Sequence, residues 1–112
     1  MTRLHLRVGQ RWFEADPHAV RSVEPWQPLI ALPWPTRFLG LLVSRTEIVP
    51  VVSETQLGCE IGERKRVALC QWKDAILGIP ATEVRLGEDV PAGEIVSLES
   101  ALESGYCELA PD

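Results

Sequence analysis

The chain of 112 residues has the length of one ordinary domain, enough for one hydrophobic core but not for two independent ones. Its 46% hydrophobic and 24% charged residues are typical of a soluble globular protein and exclude a disordered chain. A net charge of -5 repels phosphate backbones and anionic lipids, so nucleic acid and direct membrane contact are not expected. Because the sequence contains neither an apolar run of about 18 residues nor a leader-like N-terminus, we expect a cytoplasmic protein.

The first quarter of the chain predicts three strands. Residues 4–8 alternate apolar and polar side chains, and residues 11–15 continue as a second strand after a Gly-Gln turn. Asp16 precedes a proline, which is typical of a single helical turn, and residues 20–24 extend again. The first two strands therefore read as a hairpin.

Residues 25–35, PWQPLIALPWP, contain four prolines and two tryptophans. Proline supplies no backbone donor, so this segment is predicted to be an extended surface connection and not an inner strand. The rings of Trp26 and Trp34 are expected to pack over the edge of the core, whereas an exposed tryptophan would indicate a docking surface.

The rest of the chain predicts more strands joined by turns. Polar residues 56–66 are predicted to be a loop, in which the basic cluster Arg64, Lys65 and Arg66 forms a solvated turn. Short apolar runs between turn residues predict strands over 38–43, 47–52, 67–72, 75–79, 84–86 and 94–98, followed by a short helix over 99–103. This pattern favours an all-β barrel or sandwich.

The sequence offers no catalytic constellation. His5 and His18 lie near the N-terminus and are expected to be surface histidines, and common nucleotide or zinc-peptidase motifs are missing from the sequence. The acidic pairs Glu60 with Glu63 and Glu99 with Glu103 read as solubilising carboxylates. Three widely spaced cysteines read as reduced packing thiols: Cys59, Cys70 and Cys107. We therefore expect no enzyme activity, no cofactor and no metal.

Arg45 raises a separate question, because it interrupts the most apolar segment of the chain. One interpretation is that it lies at the tip of a hairpin and keeps the sheet edge soluble. The other is that it is a recognition group, since the planar guanidinium makes specific contacts with carboxylates and carbonyls.

The segment GLLVSRTEIVPVV, residues 40–52, resembles the signature of CheW-like domains, which reads approximately G-V-V-N-L-R-G-x-V-V-P-V-V-D-L. Thr46 and Ser53 depart from its second glycine and its aspartate. The order of the flanking segments resembles the family over residues 4–86, residues 94–102 resemble its closing strand and helix, and the stretch before the last strand is shorter than usual. The positions that match the signature in register are Gly40, Arg45, Glu47, Pro50, Val51 and Val52.

This resemblance implies an all-β CheW-like fold for residues 1–112 as a single domain. The fold would consist of two small SH3-like five-stranded barrels sharing a hydrophobic junction, with short helical turns and a shortened C-terminal part. The implied activity is that of a non-enzymatic adaptor that couples chemoreceptors to a CheA-type histidine kinase, in chemotaxis or in type IV pilus twitching motility.

The resemblance also implies a surface for proteins. The expected partners are the regulatory domain of the kinase and the cytoplasmic tip of a receptor, and the core is expected to contain Leu41, Val43, Ile48 and Val51. The predicted protein-binding residues are Trp34, Gly40, Arg45, Thr46 and Glu47.

Two alternatives to the bridging adaptor stay open. One is a minimal CheW-like competitor that caps a single adaptor surface. The other is a stand-alone β-barrel that binds a small molecule, with Trp26, Trp34 and Trp72 lining its pocket.

Overall fold

The structure is a computed structural model that describes residues 3–33, 38–45, 47–87 and 91–106. These residues form nine strands, one short 3₁₀ helix and one α-helix. No helix in these ranges has the length and apolar character needed to cross a bilayer. The strands are β1 (Arg3–Val8), β2 (Arg11–Ala15), β3 (Val20–Pro25), β4 (Phe38–Ser44), β5 (Glu47–Val52), β6 (Arg66–Trp72), β7 (Ala75–Ala81), β8 (Glu83–Gly87) and β9 (Ile95–Ser97), the 3₁₀ helix is Glu54–Leu57 and the α-helix is α1 (Leu98–Tyr106).

The strands pair in two sheets. The first sheet has the order β8-β1-β2-β9 and the second has the order β3-β6-β7-β5-β4. Each sheet contains one parallel pair, β2 with β9 and β5 with β7, among antiparallel pairs. β8 pairs with β1, so strands from the two ends of the chain share a sheet. The predicted all-β architecture is confirmed, and the closure of either sheet into a barrel stays a prediction.

A hydrophobic core joins the two sheets, and we call it the inter-sheet core. Leu6 and Phe13 of the first sheet are fully buried in it, together with Ile79 of the second sheet. α1 contributes Leu98 and Leu102, and Ser97 stabilises the start of this helix because its Oγ accepts a hydrogen bond from Ser100 N–H at 3.3 Å. The helix therefore seals one end of the inter-sheet core.

A second core lies on the other face of the five-stranded sheet. Strand β6 shows how the two cores share one sheet, because Val67 and Leu69 face the second core while Ala68 and Cys70 face the inter-sheet core. Successive side chains of a strand point to opposite faces, so an uninterrupted apolar run is what a strand covered on both faces requires. Trp26 packs on this second core, as predicted.

His5 is buried, which corrects the prediction of a surface histidine. That prediction rested on its place in the polar phase of β1. Its side chain is 0% exposed. β1 is a central strand, and the residues opposite His5 on both sides, Glu14 on β2 and Arg85 on β8, carry long side chains. Alternation predicts exposure only where the outer face of a sheet meets water. Here the long side chains on the neighbouring strands cover that face at His5.

Candidate functional site: the β4–β5 hairpin

The β4–β5 hairpin contains the apolar segment GLLVSRTEIVPVV, residues 40–52. Ser44 pairs with Glu47, and Arg45 lies in the turn between the two strands with an exposed side chain. Its φ of 54° is in the left-handed region, which is costly for a residue with a Cβ atom. Two-residue hairpin turns commonly require this conformation, and Lys73 in the β6–β7 turn adopts it as well, with a φ of 56°. The tip position predicted for Arg45 is confirmed.

Strand β3 approaches the hairpin end through side chains. Arg21 Nη1 donates a hydrogen bond to Glu47 Oε1 at 2.9 Å, and Ser44 Oγ donates to Glu24 Oε2 at 2.6 Å. Between them lies a shallow groove, which we call the hairpin-tip groove and which is lined by Arg21, Glu24, Ser44, Arg45 and Glu47.

The charged side chains around the hairpin-tip groove differ in whether they have a partner. Glu47 is paired with Arg21, and Glu24 accepts hydrogen bonds from the hydroxyls of Ser22 and Ser44. Arg45 forms no ion pair or hydrogen bond with any side chain in the described part of the chain. Its guanidinium is therefore available to a partner that brings a carboxylate or a carbonyl.

An apolar surface continues from the hairpin tip along one face of β4 and β5. Exposure rises along β5 from Val52, which is buried in the inter-sheet core, through half-buried Pro50 to Ile48, which is 65% exposed. Pro50 pairs with Leu41, and Ile48 pairs with Val43. Leu41 also pairs with Ile30, so all of these side chains lie on the same face. We call this surface the exposed hairpin face, formed by Ile30, Leu41, Val43, Ile48 and Pro50.

The exposed hairpin face corrects part of the core prediction. Val51 is buried as predicted and Leu41 is half-buried, but Val43 is 47% exposed and Ile48 is 65% exposed, so these last two are not core residues. The apolar run in the sequence is the same for a strand covered on both faces and for one covered on a single face. Only the packing of the two sheets decides which face stays uncovered.

Gly40 has a packing role below this surface. A Cβ atom at this position would lie 2.7 Å from the carbonyl oxygen of Ile30 and 3.0 Å from Leu29 Cβ. The glycine thus allows residues 29–30 to approach β4, where Ile30 and Leu41 exchange two backbone hydrogen bonds of 2.8 Å. Two other predicted site residues, Trp34 and Thr46, lie outside the described residues.

An ion pair between Arg64 and Glu54 is not indicated by any pattern in the sequence. Glu54 is 1% exposed, and Arg64 donates to it from Nε at 2.7 Å and from Nη2 at 2.9 Å. These hydrogen bonds raise the pKa of the guanidinium, whose Cζ also lies 5.5 Å from the ring centroid of Trp26. The prediction of a solvated basic turn is therefore wrong for Arg64, although Lys65 and Arg66 are exposed.

The remaining chemically active side chains are dispersed. Within the described ranges, no three His, Cys, Asp or Glu side chains come together as metal ligands. Cys59 and Cys70 are free and buried, and burial raises the pKa of both thiols, that of Cys70 to about 12. Trp26 and Trp72 pack on different cores, so these two do not line one pocket in the way the small-molecule alternative required.

Comparison with solved structures shows a likeness in fold, whereas comparison of sequences does not. No family model matches this sequence, and no curated protein matches it significantly. The structure is similar to the crystal structure of the CheW scaffolding protein of Thermoanaerobacter tengcongensis, with a TM-score of 0.67 and 14% sequence identity. The similarity covers 81% of this chain and 66% of that chain. The chain therefore has a CheW-like fold, although it spans slightly less than two thirds of that scaffolding protein.

Proposed function

We propose that this protein is a non-enzymatic signalling adaptor, folded as a single domain over residues 1–112, that couples chemoreceptors to a CheA-type histidine kinase. The observation that carries the proposal is the exposed hairpin face beside Arg45, which has no ion-pair partner among the described residues, on a fold similar to that of a scaffolding protein. The role requires no cofactor. Chemotaxis and type IV pilus twitching motility are the pathways in which such an adaptor would act.

The surface has the composition of a protein-binding site. Exposed branched aliphatic side chains bury area without losing many rotamers, and an arginine at the edge of an apolar patch adds directional contacts. Arginine is among the residues that most often dominate the energy of an interface. Arg45 and Glu47 would contact the partner directly with Thr46 and Trp34, whereas Gly40 would act by positioning residues 29–30.

We assign the cytoplasmic tip of a receptor and the regulatory domain of the kinase as the two partners. The limited overlap with the larger scaffolding protein supports a variant of this role, in which the chain occupies one adaptor surface and competes with a longer adaptor. A bridging protein forms a ternary complex, and a capping protein binds one partner and excludes the second adaptor.

The test is a titration of the full chain with a CheA regulatory domain and, separately, with a receptor tip fragment. We expect at least one of them to bind, and Arg45→Glu to weaken that binding at least about tenfold, because it places a charge of the wrong sign at the interface. Lys65→Glu is the matched control, since Lys65 is also exposed but does not line the hairpin-tip groove.

Failure of both partners to bind at about 100 µM would overturn the proposal. So would equal losses in Arg45→Glu and Lys65→Glu, because a general effect of net charge would then explain the result. Adding both partners together separates bridging from capping.

A further inference from the structure

Strand β8 lies at the edge of the four-stranded sheet. It pairs with β1 on one side, and within the described ranges no strand pairs with its other side. None of its residues lines the hairpin-tip groove or belongs to the exposed hairpin face. An interaction at this edge would therefore not depend on the proposed adaptor surface.

The backbone groups of β8 alternate between its two sides. Arg7 on β1 directs its carbonyl toward β8, where it accepts a hydrogen bond from Thr82 N–H at 2.7 Å. The residues opposite Arg7 and its alternate neighbours on β1 therefore bond back to β1: Glu83, Arg85 and Gly87. Val84 and Leu86 direct their N–H and C=O groups to the open side, where no described residue bonds to them. These groups can receive one more strand.

The other edges of the two sheets are protected. β9 has only three residues. β3 and β4 are the edges of the five-stranded sheet, and they face each other through the hydrogen bond between Ser44 and Glu24. β3 also contains a register shift and ends at a proline, and Ile30 pairs with β4 at Leu41. Short strands, irregular register, proline and covering segments all discourage pairing with another chain. Among the described residues, β8 shows none of these features, because its register with β1 is continuous.

Leu86 is exposed although it belongs to the inner face of its sheet. It lies opposite Leu4, and Val84 lies opposite Leu6, and both of these leucines are buried in the inter-sheet core. Directly opposed residues of neighbouring strands point to the same face. Val84 packs against the inter-sheet core, whereas Leu86 is 69% exposed. Leu86 therefore lacks the neighbour that a further strand would supply.

We propose that β8 of one copy pairs with β8 of a second copy, antiparallel and about a two-fold axis at Arg85. In this register Val84 of each copy lies opposite Leu86 of the other. Each of these pairs would exchange both backbone hydrogen bonds, so the outward groups of both residues would be satisfied. The two four-stranded sheets would join into one continuous sheet, and Leu86 would pack beside Val84 of the second copy.

The charged side chains of β8 permit this arrangement. Arg85 would lie opposite Arg85 of the second copy, and like charges directly opposite are unfavourable. The guanidinium leans away from the edge, however, because its Cζ lies 4.9 Å from the centre of the Trp12 ring on β2. Its Nε also donates a hydrogen bond to Glu83 at 2.6 Å. The two arginines would therefore diverge from the axis, each beside the carboxylate of its own chain.

The contact would be small. Pairing over the five residues of β8 buries less than the ~1,200 Å² at which standard interfaces begin, so we expect a dissociation constant of about 0.1–1 mM. Because both copies use the same edge, the contact is closed and the assembly ends at a dimer.

The test is sedimentation of the full chain between about 10 µM and 1 mM. The average mass is expected to rise from 12.5 kDa toward twice that value and no further. Leu86→Lys is expected to weaken dimerisation at least about tenfold, because a lysine on an edge strand opposes pairing. Ile61→Lys is the matched control, since Ile61 is 64% exposed and lies outside the strands. Circular dichroism shows whether each variant is folded.

A disulfide tests the register. Opposed residues that share no backbone hydrogen bonds have Cα atoms about 4.5 Å apart, which is within the range of a disulfide. Arg85→Cys combined with Cys107→Ser is therefore expected to form a covalent dimer under mild oxidation, since Cys59 and Cys70 are buried. His18→Cys in the same background is the control, because His18 is exposed and lies outside β8.

Three results would overturn the proposal. The first is a protein that stays monomeric at about 1 mM, which would leave the β8 edge to a strand from a different protein. The second is dimerisation that Leu86→Lys and Ile61→Lys weaken equally. The third is cross-linking of folded Arg85→Cys that is no faster than that of His18→Cys.

Discussion

Arg64 holds the buried carboxylate of Glu54 with two hydrogen bonds, while its guanidinium lies 5.5 Å from the ring of Trp26. This arrangement fastens the loop before β6 to the 3₁₀ helix and to the proline-rich segment after β3. Glu54 is almost fully enclosed, whereas 29% of the Arg64 side chain is exposed. Without Arg64 the carboxylate of Glu54 would be buried with no counter-ion, whereas the guanidinium of Arg64 would still reach water without Glu54.

Arg64→Met is expected to lower the free energy of unfolding by about 2–4 kcal/mol, because it leaves a buried carboxylate unpaired. Glu54→Leu combined with Arg64→Met is expected to recover part of this loss, since no buried charge then remains. Urea denaturation of the three proteins measures both effects.

Arg66→Met is the control for that experiment. Arg66 is the exposed neighbour of the same basic cluster, and its replacement is expected to change stability by less than about 0.5 kcal/mol. Equal effects of the two methionine variants would show that the ion pair does not hold the loop.

The strands could be predicted from the sequence because their signals are local. Alternation in β1, the Gly9-Gln10 turn and the apolar runs of β4, β5, β6 and β7 each depend on a few adjacent residues. The position of Arg45 at a turn followed from the same kind of signal. The resemblance to a known family added the overall fold, which local patterns do not specify.

What could not be predicted depends on contacts between distant residues. His5 is buried because β8, some eighty residues later, pairs with its strand, and Glu54 is buried because Arg64 folds back on it. Val43 and Ile48 are exposed because the apolar face of their hairpin continues beyond the inter-sheet core. Residue spacing contains no information about which sheet covers which face.

His5→Leu is expected to leave the free energy of unfolding unchanged or to raise it by about 1 kcal/mol. Both ring nitrogens of His5 are buried without hydrogen-bond partners among the described residues, and Glu14 Oε2 is 3.5 Å from Nε2. A leucine of similar size removes these unsatisfied groups. Leu6→Ala, at a fully buried position of the same strand, is the contrasting control and is expected to cost about 2–5 kcal/mol.

Thermal and urea denaturation measure this effect. A loss of more than about 1 kcal/mol in His5→Leu would mean that the imidazole makes a stabilising contact that is stronger than the geometry suggests.

The Cys70 thiol is expected to resist alkylation at pH 8. Burial raises its pKa from 9.0 to about 12, so only about one molecule in ten thousand carries the reactive thiolate at that pH. A protein with Cys59→Ala and Cys107→Ser leaves Cys70 as the remaining thiol for iodoacetamide labelling. The labelling rate is expected to rise about tenfold per pH unit while the protein stays folded.

The same raised pKa predicts the sign of a pH effect on stability. The folded state holds the thiol proton more tightly than the unfolded state, so the contribution is complete below about pH 9 and is lost as the pH rises toward 12. Cys70→Ala is expected to flatten this decline relative to the parent protein. Rapid labelling at pH 8 in the folded protein would contradict both expectations.

Gly40→Ala is expected to destabilise the protein by about 1–3 kcal/mol through overpacking. The new methyl group would meet the Ile30 carbonyl oxygen at 2.7 Å, and the two backbone hydrogen bonds between Ile30 and Leu41 would have to lengthen. Hydrogen exchange of the Ile30 and Leu41 amides measures the local effect. Unchanged protection of both amides would show that residues 29–30 yield without cost.

Ile48→Thr is expected to separate binding from stability, and it rests on the proposed adaptor function. Ile48 is 65% exposed and threonine retains a β-branched side chain, so unfolding should change by less than about 0.5 kcal/mol. Binding to the kinase regulatory domain or the receptor fragment is expected to weaken about tenfold, because the apolar area of the exposed hairpin face shrinks. Val51→Ala, on the buried face of the same strand, should do the opposite, costing about 1–3 kcal/mol of stability while the folded protein still binds. If Ile48→Thr binds as tightly as the parent protein, the partner surface lies elsewhere on the molecule.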